Sequence, residues 1–364
     1  MNQKLFDFVT GNPPYQASNS SNNRQEPIYP YFYDAAEKVA NKYMLISPAR
    51  FLFNAGFTSK EWNKKMLADK HLKVEYYNQN ATEIFSNTDI KGGVVIMYRD
   101  SESDFGAIEE FIPDGNLRRI AAHVKSRKQE SISSIMVGGS SDLKFNDECM
   151  TRFPTIKQDR IKAIQKKHPD VNDLAPNEEY ELKSSAFDVL PYVFHKDIKD
   201  MPEGRGHYEI LGLQNGKRAR QWIERQYMTP RYKENNIDFY KVFIPKASGH
   251  GELGEVLSSP EIGKPGESST PTFISIGRFA TEAEAVNAMK YIKTKFARVL
   301  LGILKITQDI APSKWKYVPL QDFTSSSDID WSQPISGIDQ QLYHKYGLTD
   351  EEITFIETHV KEMV

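Results

Sequence analysis

Phe6-Asp7-Phe8-Val9-Thr10-Gly11-Asn12-Pro13-Pro14-Tyr15 is the stretch on which the reading of this chain turns. Phe6 to Val9 reads as a short buried strand. The two prolines that follow cannot donate to a ladder, and each fixes its own φ. The strand must stop there, and its end becomes a stiff loop. In open α/β sheets, loops at the carboxyl ends of strands are where ligands bind. Asn12 offers a side-chain carbonyl beside a backbone carbonyl of fixed direction. Two acceptors on a stiff support can hold one exocyclic amino group. Tyr15 offers an aromatic face to a planar base. The alternative is a proline turn that only ends a strand, with Tyr15 packed as an ordinary side chain.

Working outward, the periodicity predicts a helix at about 30–41, a strand over 43–47, a helix at about 58–69, and strands over 73–78 and 93–98. Strands alternating with helices point to an α/β fold. The chain has 364 residues, enough for two or three domains at roughly 100–200 residues each. Hydrophobic residues make up 39% and aromatics 12%, which excludes a disordered chain. Forty-seven Lys and Arg stand against 49 Asp and Glu, a net charge of −2. That excludes a global polycation and leaves room for a local basic face. One cysteine, Cys149, excludes an internal disulfide and a Cys-based zinc cluster, and fits a reducing compartment. No apolar run approaches the length of a membrane span. The first sixteen residues have neither the basic start nor the apolar stretch of a signal peptide.

The Asn12-Pro13-Pro14-Tyr15 loop resembles the catalytic (Asp/Asn/Ser)-Pro-Pro-(Tyr/Phe) signature of amino-group DNA methyltransferases. Its Asn form is similar to the adenine-specific gamma class of type II restriction–modification systems. Tyr43 to Phe53 resembles the next strand and loop of those enzymes, and Glu83 to Tyr98 resembles the hairpin carrying their second base-stacking aromatic, here Phe85. Thr294 to Arg298 and Trp315 to Phe323 resemble the end of their recognition region. The resemblance implies a partial class I methyltransferase Rossmann-like sheet, its second half, followed by an α+β target-recognition domain. The expected divisions are a catalytic half-domain over 1–125, a connecting region over 126–205, a DNA target-recognition region over 206–325 and a C-terminal helical segment over 326–364. The resemblance further implies that S-adenosylmethionine is the methyl donor, that double-stranded DNA is the substrate, and that the setting is the bacterial cytoplasm. Asn12 and the Pro13 carbonyl would hold the amino group of a flipped adenine, with Pro14 stiffening the loop. Tyr15 and Phe85 would sandwich the base. Asn12 would also border the cofactor; the rest of that site is not identified.

The first half of such a sheet should carry a Gly-rich loop and an acidic residue for the cofactor. Only five residues precede Phe6, so that half is expected to be absent. The strand at Phe6–Val9 would then be a bare apolar edge that favours pairing with another chain. A companion polypeptide carrying the cofactor half is one expectation, and an inactive truncated product is the other. Gly249-His250-Gly251-Glu252-Leu253-Gly254 matches G-x-G-x-x-G, but Pro260, Gly263, Pro265 and Gly266 break any helix after it, so a loop is expected.

Downstream, Lys217, Arg218, Arg220, Arg225, Arg231, Lys233, Lys241 and Lys246 face three acids in their window, a local charge of +5 interleaved with aromatics. Lys217, Arg218, Arg220, Arg225, Arg231 and Lys246 are the candidate DNA contacts. The competing reading is a basic surface helix with a packed aromatic face. Pro169-Asp170, Glu181 and Lys183 loosely match a metal-dependent nuclease pattern, but the segment between lacks strand alternation. Thr281 to Glu284 and Thr349 to Glu352 are capping boxes. After the first, Ala285, Ala288, Met289, Ile292, Phe296, Val299, Leu300 and Ile303 recur as the core stripe of one helix. Lys290, Lys293, Lys295, Arg298 and Lys305 lie on that helix as further candidates for the DNA backbone. The histidines show no ligand spacing, so no catalytic metal is expected. Other readings stay open: a non-catalytic DNA-binding specificity subunit, or a methyltransferase acting on RNA or protein glutamine.

Overall fold

The computed structural model describes residues 4–16, 26–55, 57–85, 90, 92–305 and 307–363. The chain forms two compact units, Met1–Gly115 and Asn116–Val364. Both mix helices with sheets.

The first unit contains β1 (Phe6–Gly11), α1 (Tyr29–Val39), β2 (Ala40–Pro48), α2 (Lys60–Ala68), β3 (Leu72–Asn78) and β4 (Val94–Asp100). These match the expected elements to within about three residues. Pro30 sits in the first turn of α1, where a missing N–H costs nothing. Ser59 caps α2 by accepting from the Trp62 N–H at 3.1 Å. The sheet order is β1-β2-β4-β3. β1 runs parallel to β2, the connection between them containing α1, and β4 is antiparallel to both β2 and β3. β1, β2 and β3 therefore all point the same way. The loops after β1, β2 and β3, and the one leading into β4, share one edge of the sheet.

The core of this unit is aromatic. Trp62 meets Phe51 at 5.1 Å and Tyr33 at 5.8 Å, and Tyr33 meets Tyr43 at 5.7 Å. Leu45, Leu72, Val95 and Met97 fill the space beside them. β1 is the bare apolar edge expected of a strand without an outer neighbour, rather than the buried strand its local pattern suggests. It is an outer strand, and Phe6 and Phe8 remain 57% and 46% exposed. A buried strand and an unpaired edge share the same local apolar pattern, and only a neighbouring strand tells them apart. Full burial of a phenylalanine contributes about 1.5–3 kcal/mol, so the exposed faces are a sizeable unrealised term.

The second unit contains α3 (Gly115–Ser126), β5 (Met136–Val137), β6 (Leu143–Phe145), α4 (Asp147–Arg152), α5 (Ile156–Gln165) and α6 (Ala186–Val189). It continues through β7 (His207–Gln214), β8 (Lys217–Glu224), β9 (Met228–Pro230), β10 (Tyr240–Pro245), β11 (Glu261–Gly263), β12 (Glu267–Ser269) and β13 (Phe273–Phe279). The helices α7 (Glu282–Lys293), α8 (Lys295–Gly302), α9 (Ile335–Tyr346) and α10 (Asp350–His359) close it. Its sheets run β11-β10-β13-β5, β12-β7-β8 and β6-β9. β5 and β6 come from before residue 205, and their partners β13 and β9 from after it.

Two features depart from the sequence reading. The basic stretch from Lys217 opens as strand and not as the surface helix of the competing reading: β7 and β8 form a hairpin closed by Asn215 (φ 49°) and Gly216 (φ 74°). Both positive φ angles fit a type I′ turn, which Asn-Gly favours. The continuous helix expected after Thr281 breaks at Thr294, which ends α7 and caps α8. Asp339 on α9 secures the break by accepting from the Lys295 and Phe296 N–H groups at 3.1 and 2.9 Å. A helix N-terminus supplied with a buried acceptor can restart where a continuous helix would leave Asp339 unsatisfied. Thr349 and Glu352 form the reciprocal capping box at α10.

Candidate functional site

The Asn12-Pro13-Pro14-Tyr15 loop leaves the carboxyl end of β1. Pro13 is buried, Tyr15 half-buried, and Asn12 and Pro14 are exposed. Two fixed φ angles and one buried ring hold the Asn12 side chain out to solvent on a stiff support. The loop is also tied at its far end. The Ile28 N–H donates to the Tyr15 carbonyl at 3.2 Å, and Gln16 bridges Pro27. The Tyr15 hydroxyl is out of contact with solvent and, among the described residues, has no partner at ordinary hydrogen-bond geometry. Burial pushes its phenol up, and the nearby Asn12 side chain offsets part of that.

The neighbouring loops carry their own supports. Tyr33 Oη lies 2.9 Å from Ser47 Oγ, joining α1 to the end of β2, and both residues are buried. Beyond Pro48, the Ala49 N–H donates to the Gly93 carbonyl at 2.9 Å. Gly93 has φ +81°, and a Cβ there would lie 2.2 Å from the Asn78 carbonyl oxygen. Gly92 passes Arg50 less tightly: its Cβ would stand 2.9 Å from Arg50 Cγ. Only glycine permits this close approach of the β4 entry to the end of β3. Asn78 and Asn80 donate to the Glu83 carboxylate at 2.8 and 3.0 Å, which lowers its pKa and pins the turn before Phe85. These supports carried one readable signal, the Gly-Gly pair; the Tyr33–Ser47 contact carried none.

Phe85 is half-buried on the loop after β3, at the same edge as Asn12. β1 and β3 are the outer strands, separated by about 14 Å at ordinary strand spacing. Among the described residues no ring contact joins Tyr15 to Phe85. Residues 86–89 and 91 of the expected hairpin lie outside the described residues.

The second unit places the basic candidates differently from one another. Arg220 is held by three carboxylates, Glu209 at 2.8 Å, Glu267 at 2.6 Å and Glu261 at 3.1 Å. Arg218 pairs with Glu261 at 2.5 Å, and Arg231 pairs with Glu181. Lys241 is fully buried and donates to the Ile237 and Glu267 carbonyls at 2.9 and 2.7 Å; burial pulls its pKa to about 8. The acids that consume Arg218, Arg220 and Arg231 all lie outside the window that showed +5. These three side chains bind the fold rather than standing ready for phosphate. Lys217 is exposed at the hairpin tip, Arg225 is exposed over the Tyr208 ring at 4.7 Å, and Lys246 is half-buried. Among the described residues none of these three pairs with a carboxylate. On the helices, Lys290 donates to the Trp331 carbonyl, Lys295 pairs with Glu357, and Arg298 is buried against the Gly254 and Glu255 carbonyls. These are clamps within the unit.

The two decoys also resolve. The Glu255 carboxylate accepts from the His250 and Gly251 N–H groups at 2.6 and 3.2 Å and pairs with buried Lys305. The glycine loop is thus wrapped around a carboxylate of its own chain, with no N–H cradle left for a cofactor's anionic group. Burial opposes the Glu255 charge, yet Lys305 and the backbone N–H groups outweigh it and hold the carboxyl at about 2. In the nuclease-like pattern, Glu181 is taken by Arg231 and Lys183 by Glu178 at 2.8 Å. Burial pushes the Cys149 thiol up to about 12, which makes it a packing residue.

Residues 1–85 match the family model described as Eco57I restriction-modification methylase. No match was found among curated proteins. A solved structure, that of the Type IIL restriction-modification enzyme MmeI in complex with DNA, is similar at a TM-score of 0.37 and 11% identity. The match covers 97% of this chain and 56% of that one, so the chain spans a little over half the length of that enzyme. No helix among the described residues is long and apolar enough to cross a membrane.

Proposed function

We propose that the chain is the catalytic-loop and target-recognition portion of a site-specific adenine DNA methyltransferase. The observation that carries this reading is the Asn12 loop: an exposed amide on a proline-stiffened support at the carboxyl end of a strand, within the 85 residues that match a restriction-modification methylase model. The parallel β1–α1–β2 unit supports reading the first sheet as the second half of a class I methyltransferase sheet. Residues 206–325 supply the target-recognition function, with Lys217, Arg225 and Lys246 toward phosphates.

In this reading the target adenine leaves the stack, since its amino group is out of reach within the duplex. Asn12 Oδ1 and the Pro13 carbonyl accept its two N–H bonds. That grip points the nitrogen lone pair away from the loop and favours the positive charge that develops on nitrogen. Tyr15 stacks on one face of the base and Phe85 on the other. S-adenosylmethionine supplies the methyl group when bound. The described residues do not fit a complete site for it, because the Gly249–Gly254 loop is filled by Glu255. The cofactor half therefore adds at β1, whose outer edge carries exposed Leu5, Phe6 and Phe8. A companion polypeptide is its proposed carrier.

The test is transfer of labelled methyl groups from S-adenosylmethionine to mixed-sequence duplex DNA, with the chain alone and with the neighbouring encoded polypeptide added. Asn12→Ala should abolish transfer to adenine and leave DNA binding intact. Near-normal transfer by that variant overturns the assignment. The filled glycine loop favours one second reading, a non-catalytic DNA-binding subunit. It requires salt-dependent DNA binding with no methyl transfer under any addition.

A further inference from the structure

Within the second unit, a half-open cavity of about 370 Å³ lies between α5, α6 and the turn at Glu178–Tyr180. Ile164, Leu174, Val189 and Leu190 give it apolar walls. Arg160 lines it too, and is only 6% exposed.

The surroundings of that guanidinium are unusual. It donates to the backbone carbonyls of Glu178, at 2.8 Å, and of Glu181. It lies over the Phe145 ring at 5.7 Å. These partners are all neutral. The carboxylates of Glu178 and Glu181, whose charges act on it most strongly, are themselves paired with Lys183 and Arg231. Among the described residues no ion pair reaches Arg160, and its Nε–H has no hydrogen-bond partner. Burial lowers its pKa, the nearby acids only partly opposing this. A buried cation without a counter-ion is costly, and most native structures avoid it. Lys183 at the cavity adds a second positive charge and Glu178 one negative, so the lining carries a net +1.

We propose that this cavity binds a small organic anion, its carboxylate or phosphate group beside Arg160 and Lys183 and its apolar stem against Ile164, Leu174 and Val189. The volume suits a small ligand. An anionic head supplies the missing counter-charge, and the apolar walls exclude a bare inorganic ion as the best occupant. Binding here is independent of DNA and of methyl transfer.

Calorimetric titration of the full chain with octanoate and with hexyl phosphate tests it, with octylamine and inorganic phosphate as controls. At least one organic anion should bind at one site per chain. Octylamine should not bind, and inorganic phosphate should bind at least about ten-fold more weakly. Tighter binding of hexyl phosphate assigns a phosphorylated ligand; tighter binding of octanoate assigns a carboxylate. Ala163→Phe fills the cavity from a half-buried position and should weaken binding about ten-fold or more. Arg160→Lys, which keeps the charge and loses the planar fork, should weaken it similarly. Where Arg160→Lys does not fold, Ala163→Phe decides. The proposal is overturned if neither anion binds, if octylamine binds as well as the anions, or if Ala163→Phe leaves affinity unchanged. In each of those cases Arg160 is a clamp for the Glu178–Glu181 turn and nothing more.

Discussion

The Tyr33 hydroxyl and the Ser47 hydroxyl meet at 2.9 Å inside the first unit, where neither side chain touches solvent. This contact locks the crossing helix α1 to the end of β2, behind the edge that presents Asn12. Tyr33→Phe leaves the Ser47 hydroxyl short of its best partner in a buried site, at a cost of about 1–3 kcal/mol. Thermal unfolding should show a lower Tm for Tyr33→Phe, partly restored by adding Ser47→Ala. Equal Tm values for the single variant and the wild type would show that the bond is not formed in solution.

Gly93 makes a sharper demand. Its φ of +81° and the 2.2 Å approach of a built Cβ to the Asn78 carbonyl leave no room for a side chain. Gly93→Ala combines backbone strain of about 1–3 kcal/mol with a clash against main chain. The expected result is loss of cooperative unfolding in the first unit, read by hydrogen exchange at β3 and β4. Gly106, with φ +77° and open space around it, is the control: Gly106→Ala should show only the strain of its φ.

Glu255 contributes to the acid limb of stability. Its folded carboxyl titrates at about 2, below the ordinary value of 4.5. Its contribution is therefore fully present above pH 4.5 and is lost as pH falls toward 2. Glu255→Gln should flatten that part of the profile. It also leaves buried Lys305 without its carboxylate, costing about 3–5 kcal/mol at neutral pH. Urea unfolding at a series of pH values measures both effects.

Asp339 has the opposite sign. Burial raises its folded pKa from 3.8 to about 6, with the Phe296 and Lys295 N–H groups limiting the rise. The folded state then binds the proton more tightly than the unfolded state, so this residue's contribution falls as pH rises from about 4 to 6. Asn at this position keeps an acceptor for the α8 cap and removes the charge. Asp339→Asn should be relatively more stable than wild type at pH 8 than at pH 4. A pH-independent difference between the two would show that Asp339 does not titrate in that range.

The basic residues separate into two classes by salt dependence of DNA binding. Lys217→Ala should reduce the slope of log K against log salt by about 1. Arg220→Ala should leave the slope unchanged and lower Tm, because its charge is already spent on Glu209, Glu261 and Glu267. The reverse pattern would mean that the Arg220 cluster opens to meet DNA.

The residues themselves determined what rests on short-range physics. The two prolines after Gly11 set a stiff loop through their fixed φ angles. Alternation and helical spacing placed the six elements of the first hundred residues, because side-chain direction follows backbone period. Thr349 and Glu352 announced a helix start through contacts three residues apart. Asn215-Gly216 carries the signal of a type I′ hairpin turn in the same local way.

What depended on distant partners was decided only by tertiary structure. Whether Phe6 and Phe8 are covered depends on a strand beside β1, and an apolar run looks the same with or without one. Whether Arg220 is free depends on glutamates 11, 41 and 47 positions away. Whether α7 continues past Thr294 depends on Asp339, 43 positions from Phe296. Whether the glycine loop can cradle a ligand depends on Glu255 folding back with Lys305 behind it, 50 positions on. Charge and hydrogen-bonding capacity are local properties of a residue; their satisfaction is a property of the fold.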